Sequence, residues 1–459
     1  MRRFACYLLH CFNKPPDISP NAWKNKTPDS LFIPEKLSAQ NLFNRETKEV
    51  LCVSALIFLA FIGISWYFVP PITIARSLSG LGIIFYLSGI IFRFTLFVFS
   101  LIELKKNDRD VAQMAYQADE TQLPIYSVLI PLRHEKESLP GLINSLRKID
   151  WPKEKLDIKL IVDEDDEITK TAIASINLPP QIKVFIAPKE QPCSKPRVLN
   201  LALQEAQGEL LVIYDAEDRP EKDQLKRAYL TFLSSSADTV CLQARLDYYN
   251  ENQNLLTRWF TSEYAAWFGY VMPALSYLNL PIPLGGTSNH FRTDFLKKIG
   301  GWDPYNVTED CDLGIRIYRL GGKIKTLYGY EKPNNSGVAM LKSKTYEEAS
   351  AHIGNWIRQR SRWNKGYLVT FLVHLRYPIS ATQKFGFWGL ITFIFCTFGT
   401  IFINLTNLFF YILFFCWLFF DPPQVVIFFP PQLLMAHQII FFLGNGFFIT
   451  MHVLSPLME

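Results

Sequence analysis

Residues 50–69 form an unbroken run of 20 residues without a formal charge. As a helix, at about 1.5 Å per residue, the run reaches across the roughly 30 Å hydrocarbon core of a bilayer. It starts too late, is too long and lacks a small-residue cleavage site, so it does not read as a removable signal peptide. Pro70 and Pro71 close it. A second apolar run, 78–102, is interrupted by Arg93, and the link 70–77 makes the pair a helical hairpin. Arg93 is expected to snorkel or to meet a partner inside the bundle. A third block, 386–458, carries Asp421 as its one formal charge. Its first part, 386–420, is too long for one upright span. It reads as two helices breaking near 404–407, or as one long helix with an interfacial piece. A further span is expected over 432–454, after Pro430 and Pro431. The total is about four to five spans.

Composition agrees. Charged residues make up only 19% of the 459-residue chain, below the roughly 25% of soluble domains, and hydrophobic ones 49%. That excludes a disordered, collagen-like or coiled-coil protein. The excess of 47 basic over 42 acidic residues is too small to argue for nucleic acid. The 8 cysteines contain no C-x-x-C pair and read as buried small side chains or free thiols, not as a disulfide frame or a zinc site. Residues 1–49 hold 8 Lys/Arg, and Lys105, Lys106 and Arg109 follow the hairpin, whereas its link has only Arg76. The positive-inside rule then predicts four parts: a loose cytoplasmic arm (1–49), a transmembrane hairpin (50–102), a cytoplasmic domain (103–385) and a C-terminal transmembrane region (386–459). The chain is expected to be integral to the plasma (inner) membrane, in contact with membrane lipid.

Within 103–385 short apolar runs alternate with helical spacing. Strands are predicted over 126–132, 156–162, 182–187 and 210–214, and helices over 139–149, 198–206 and 313–320. This order implies an α/β domain with a mainly parallel sheet and helices on both faces. Ligands of such sheets bind at the carboxyl ends of strands, where acid clusters fall at 163–167 and 215–218. No Walker loop and no G-x-G-x-x-G is present.

Four constellations carry chemistry. Asp215-Ala216-Glu217-Asp218 ends a strand, and residues two apart on a strand share a side, so Asp215 and Glu217 can converge on one Mg²⁺ or Mn²⁺. Asp218 replaces Glu217 if the strand has already turned; the plain alternative is an acidic loop. Glu164-Asp165-Asp166-Glu167 offers a carboxylate for a uracil imide, or is simply a solvated turn. Asp310 of Thr308-Glu309-Asp310 suits a general base, while Thr308 or an Asp there also suits a helix N-cap. Gln359, Arg362 and Trp363 stand at i, i+3 and i+4, on one helix face that fits a diphosphate beside a sugar ring. The alternative is a basic helix lying on anionic lipid.

In this order the four pieces resemble the family 2 glycosyltransferases, most closely the cellulose-synthase-like processive branch, over about residues 123–375. The resemblance implies a GT-A-type domain and a UDP-sugar-dependent hexosyltransferase. Pro131, Glu135, Asp165, Lys195 and Asp215 match donor and nucleotide positions. Asp215 and Glu217 match the metal pair, with Glu217 where Asp is usual, and Asp310 matches the catalytic base. Gln359, Arg360, Arg362 and Trp363 match the diphosphate and acceptor group. Gln243-Ala244-Arg245 and Gly285-Gly286-Thr287-Ser288 also resemble family segments. An FxVT-type gating segment is not found. The function implied is inverting transfer from a UDP-sugar to a growing β-linked glycan, with export across the bilayer. Two rivals remain: single transfer to a polyprenyl phosphate or other lipid, and a non-catalytic membrane transporter or binding module. A transporter would show intramembrane charges or repeated halves, whereas the apolar runs hold almost no charge and no visible repeat.

Overall fold

The computed structural model describes residues 33–42, 45–104, 122–326, 343–420 and 431–457. Most of the arm 1–49, the trio Lys105, Lys106 and Arg109, and Asp421 lie outside the described residues. Helices α1 (Arg45–Phe68) and α2 (Pro71–Leu104) come first. Then follow β1 (Tyr126–Leu132), α3 (Leu139–Arg147), β2 (Leu156–Asp163), α4 (Glu167–Ala174), β3 (Ile182–Ala187), α5 (Lys195–Gln204) and β4 (Leu210–Ile213). Next are β5 (Arg219–Pro220), α6 (Gln224–Ser234), β6 (Thr239–Gln243), β7 (Arg245–Tyr248), α7 (Leu255–Ala266) and α8 (Met272–Tyr277). The domain closes with β8 (Asn289–Arg292), α9 (Thr293–Lys298), α10 (Glu309–Arg319), β9 (Lys323–Thr326), β10 (Lys344–Glu347) and α11 (Ile353–Leu375). The last helices are α12 (Pro378–Ile394), α13 (Thr400–Phe420) and α14 (Pro431–Leu457).

Seven strands form one sheet in the order β3-β2-β1-β4-β8-β6-β9. The pairs β1/β2, β2/β3, β1/β4 and β6/β9 are parallel, and β8 runs antiparallel to β4 and β6. The expected α/β domain with a mainly parallel sheet is therefore present. β1 shows why its strands read as continuous apolar runs. Leu129 packs into one core cluster with Leu199 and Leu203 of α5, while Val128 and Ile130 enter a second with Leu142 and Leu146 of α3. Both faces are covered, so no polar alternation is needed. The order reverses at β1, whose neighbours are β2 and β4. That reversal opens the crevice where such sheets bind ligands.

Three expectations change. α5 starts at Lys195 instead of 198, because Pro196 in its first turn presets a helical φ and lacks only an N–H the helix start does not use. α2 starts at Pro71 for the same reason, which reduces the expected 70–77 link to Val69 and Pro70. The break in the third apolar block lies not at 404–407 but at Gly386 (φ 64°), where α12 kinks, and in the π-helical turn Phe395–Gly399. Glycine alone adopts that φ without strain. Among the described residues, Ile72–Leu101 and Pro378–Phe420 are long and apolar enough to cross a membrane; Cys52–Ser65 and Gln438–Val453 are apolar but shorter. By that measure the expected four to five spans are not reached.

The arm also departs from expectation where it is described. Leu37 is buried, Ser38 Oγ and the Ala39 N–H donate to the two oxygens of Asp303 at 3.0 and 2.6 Å, and Arg376 donates to the carbonyls of Glu35 and Ser38. This stretch is packed on the domain, not loose.

Candidate active site

The carboxyl ends of β1, β2 and β4 bring the first group of polar side chains to one edge. Asp215 follows β4. Lys195, the first residue of α5, donates from Nζ to Asp215 Oδ1 at 2.5 Å and to the Gly286 carbonyl at 3.1 Å. Gly286 in turn backs onto the base candidate: a Cβ there would stand 3.3 Å from Asp310 Oδ2. Asp310 lies in the first turn of α10, and its Oδ1 accepts the Cys311 N–H at 2.7 Å. Lys195, Asp215, Gly286 and Asp310 thus form one group.

 In sequence, Asp215 lies 20 and Gly286 91 positions beyond Lys195, so it is the fold that assembles the group.

The charges around this group do not balance. Desolvation, with Asp310 next, lifts the Glu309 carboxyl to about 7, and desolvation lifts Asp310 to about 6 against the pull of the Cys311 N–H and Lys195. Glu217 is exposed by area, yet it stands in the crowded mouth of the cleft. The loss of water there, then Asp215, raises it to about 7. Glu347, at the end of β10, is raised well above its usual range by desolvation and by Asp218, Asp215 and Glu217. Desolvation works against the Lys195 ammonium, but Asp215, Glu309 and Asp310 hold its proton more firmly than usual.

The alternation argument for Asp215 and Glu217 does not hold here. β4 stops at Ile213 and the chain has turned, so Asp218 is buried with no exposure while Glu217 stays at the open mouth of the cleft, near Asp215. Asp218 Oδ2 accepts from the Asp215 N–H at 2.7 Å and from Thr287 Oγ1; its Oδ1 is buried and has no hydrogen-bond partner. No preformed set of three or more His, Cys, Asp or Glu metal ligands exists among the described residues. The residues still fit a divalent ion. They are hard oxygen donors with a surplus of negative charge, and a diphosphate would supply the rest of the shell.

The remaining candidates divide. Pro131 lies in β1 opposite Ile161. Glu135, just beyond that strand, takes a hydrogen bond from Ser138 at 2.7 Å and acts electrostatically on Glu217. Asp165 sits on the turn after β2, half-exposed, paired with Lys189 at 3.0 Å, which holds its carboxyl below the usual range. Its neighbour Asp166 is the N-cap of α4, accepting from the Thr169 N–H at 3.1 Å, so that acid is accounted for by helix capping. On α11, Gln359 buries its Oε1 without a partner, Arg362 is exposed, and Trp363 leans on Phe260 with ring centroids 6.2 Å apart. Arg360 is committed elsewhere. Its guanidinium forms a forked pair with Glu263 of α7 at 2.6 and 2.5 Å and lies over the rings of Phe260, Trp356 and Trp363. Thr308 occupies the N-cap position of α10 without a capping hydrogen bond. Sequence reasoning missed Glu347 and Glu263: single acids outside any motif give no signal until the strands and helices are paired.

The sheet and its acid-lined edge define a GT-A-like α/β domain. The chain belongs to glycosyl transferase family group 2, whose pattern matches residues 210–453, more than half of its length. It is similar to a probable glycosyltransferase of Sulfolobus acidocaldarius, 23% identical over 268 residues (58% of this chain, 54% of the relative). It is also similar to the probable glycosyltransferase YdaM of Bacillus subtilis, 27% identical over 282 residues (60% and 63%). A beta-monoglucosyldiacylglycerol synthase of Trichormus variabilis is 25% identical over 255 residues (55% and 51%). The chain therefore spans less than two thirds of the length of these relatives. Among solved structures, the mannosyltransferase PcManGT of Pyrobaculum calidifontis, in complex with GDP-Man and Mn²⁺, superposes with a TM-score of 0.45 at 18% identity, covering 68% of this chain and 86% of that one.

Proposed function

We propose that the chain is an inverting hexosyltransferase that moves a sugar from a UDP-sugar to a hydroxyl presented at a membrane. The observation that carries this reading is the meeting of Lys195, Asp215 and Asp310 around Gly286 at the carboxyl edge of the sheet. Asp310 takes the acceptor proton as the hydroxyl attacks the anomeric carbon. Its carboxyl at about 6 is ionised at neutral pH yet basic enough to accept that proton. Lys195 offsets charge on the departing diphosphate, and Arg362 adds its guanidinium fork from the exposed side of α11. Trp363 positions the acceptor ring, Pro131, Glu135 and Asp165 line the nucleoside end, and Gln359 joins Arg362 and Trp363 in the diphosphate and acceptor group. Asp215 and Glu217 would hold a Mg²⁺ or Mn²⁺ ion, which when bound draws off negative charge from the diphosphate. Attack opposite the leaving group gives a β product from an α-linked donor.

The same reading places 50–102 and 386–459 in the bilayer and 103–385 in the cytoplasm. Support comes from the exposed apolar side chains of the flanking helices, such as Leu56, Phe61, Phe419 and Phe420, and from the basic arm. A growing β-linked glycan is the acceptor that the Gln359–Trp363 group favours. Single transfer to a lipid is the second reading, favoured by the similarity to a beta-monoglucosyldiacylglycerol synthase. The test uses membranes carrying the full chain, supplied with UDP-sugars and Mn²⁺ or Mg²⁺, with UDP release as readout. Turnover by the wild type and its loss in Asp310→Asn are expected; equal turnover by the two proteins removes Asp310 from the base role. Product mass then separates chain growth from single transfer.

A further inference from the structure

α11 does more than display Gln359–Trp363. In its second half Gly366, Thr370 and His374 follow at intervals of four and so share one face. Each meets a residue flanking Asp310. A Cβ on Gly366 would fall 2.3 Å from Thr308 Cγ2 and 2.8 Å from its Cβ. Thr370 Oγ1 accepts from Asn306 Nδ2 at 3.0 Å. His374 Nε2 stands 3.0 Å from Asp312 Oδ1. All three contacts are buried, with Thr370 and Asp312 at 0% exposure. A guanidinium can only donate, so Arg319, 3.0 Å from His374 Nδ1, leaves Nε2 as the nitrogen that carries the proton to Asp312. Burial, which pushes His374 down to about 4, keeps that ring neutral. Asp312 is further faced by Arg316, whose guanidinium also donates to the carbonyls of Ile299 and Gly301.

A mid-helix glycine costs about 0.5–1 kcal/mol against alanine. Here the close approach of Thr308 requires it. The stripe therefore grips the segment 306–312 on both sides of Asp310. We propose that Gly366, Thr370 and His374 are positioning residues that fix the depth and register of Asp310 against the Gln359–Trp363 turn of the same helix. This rests on the reading of Asp310 as the base.

The experiment uses the full chain in membranes, with kcat, acceptor and donor KM, and UDP affinity measured separately. Gly366→Ala should push 306–312 away from α11 and lower kcat by about 100-fold, the scale of a misplacement near 1 Å. UDP affinity should stay near wild type while the melting temperature falls as for an overpacked buried contact, and adding Thr308→Gly should restore most of the rate by clearing the space. Leu368→Ala, on the exposed side of α11, should leave kcat unchanged. A folded Gly366→Ala protein with wild-type kcat, or equal losses of UDP affinity and kcat, would overturn the proposal. If Gly366→Ala fails to fold, Thr370→Val decides: a several-fold fall in kcat at constant UDP affinity supports the proposal, and an unchanged kcat overturns it. An inactive Asp310→Asn beside an unimpaired Gly366→Ala sinks the positioning role alone, whereas an active Asp310→Asn sinks the base reading.

Discussion

The two sides of the cleft are built differently. On the β1–β4 side, functional candidates hang from strand ends and make short, partly exposed ion pairs, as Asp165 does with Lys189 and Asp215 with Lys195. On the α10–α11 side, Asp310 and its surroundings are fixed by buried contacts between segments about 60 residues apart, such as His374 with Asp312. The first side can adjust to a ligand at little cost. The second has few alternatives, because buried pairs such as His374 with Asp312 and Asn306 with Thr370 would be separated if it moved.

The sharpest test of this contrast is at the shared boundary. Asp215→Asn should lower kcat by about 10²–10³, the cost of removing one charge-stabilising group, and flatten the response to Mn²⁺ or Mg²⁺. A mild, metal-independent effect would place Asp215 outside the reacting group. The pH profile comes next. With Asp310 at about 6 and needed as carboxylate, kcat/KM should fall about tenfold per unit below that pH. An acid limb near 4 instead would show that Asp310 of the free enzyme lacks that desolvation. Glu263→Gln leaves Arg360 without its charged partner and should destabilise the protein by about 1–3 kcal/mol, between the exposed and buried limits. Thermal melts would measure it.

Stability against pH should differ between the sides in sign. Glu309 and Asp310 have raised values, so the folded chain binds their protons more tightly than the unfolded one. Their contribution is full below the unfolded carboxyl value of roughly 4 and is lost as pH rises through about 6–7. Asp165 is shifted downward, so its contribution is present above the unfolded value and lost as pH falls. Melting temperature should therefore decline between about pH 5 and 7, and decline less in Glu309→Gln. The smallest effect is expected from Asp165→Asn: stability close to that of wild type, as for other exposed sites, with a higher donor KM.

The same contrast sets what the sequence made legible. β1, β2 and β4 are buried on both faces, so each shows as an apolar run bounded by turn residues, and Asp165 and Asp215 stand out as polar residues at their margins. β8 (Asn-His-Phe-Arg) and β10 (Lys-Thr-Tyr-Glu) are four-residue strands with polar sequences, held by neighbours and not by their own pattern. Strand alternation does not relate Asp215 to Glu217, because β4 ends sooner than the apolar run suggested. Arg360 read as a ligand group because its partner, Glu263, lies 97 positions away on another helix.

Asp303 has no exposure, and both its oxygens take hydrogen bonds from Ser38 and Ala39, ahead of the first apolar helix. A fragment cut to begin after α2 would strip that carboxyl, a few residues before Asp310, of its Ser38 and Ala39 donors and leave it the Tyr305 N–H. A water-soluble version should therefore carry the 33–42 peptide, tethered or added in trans, if its kinetics are to stand for those of the intact enzyme.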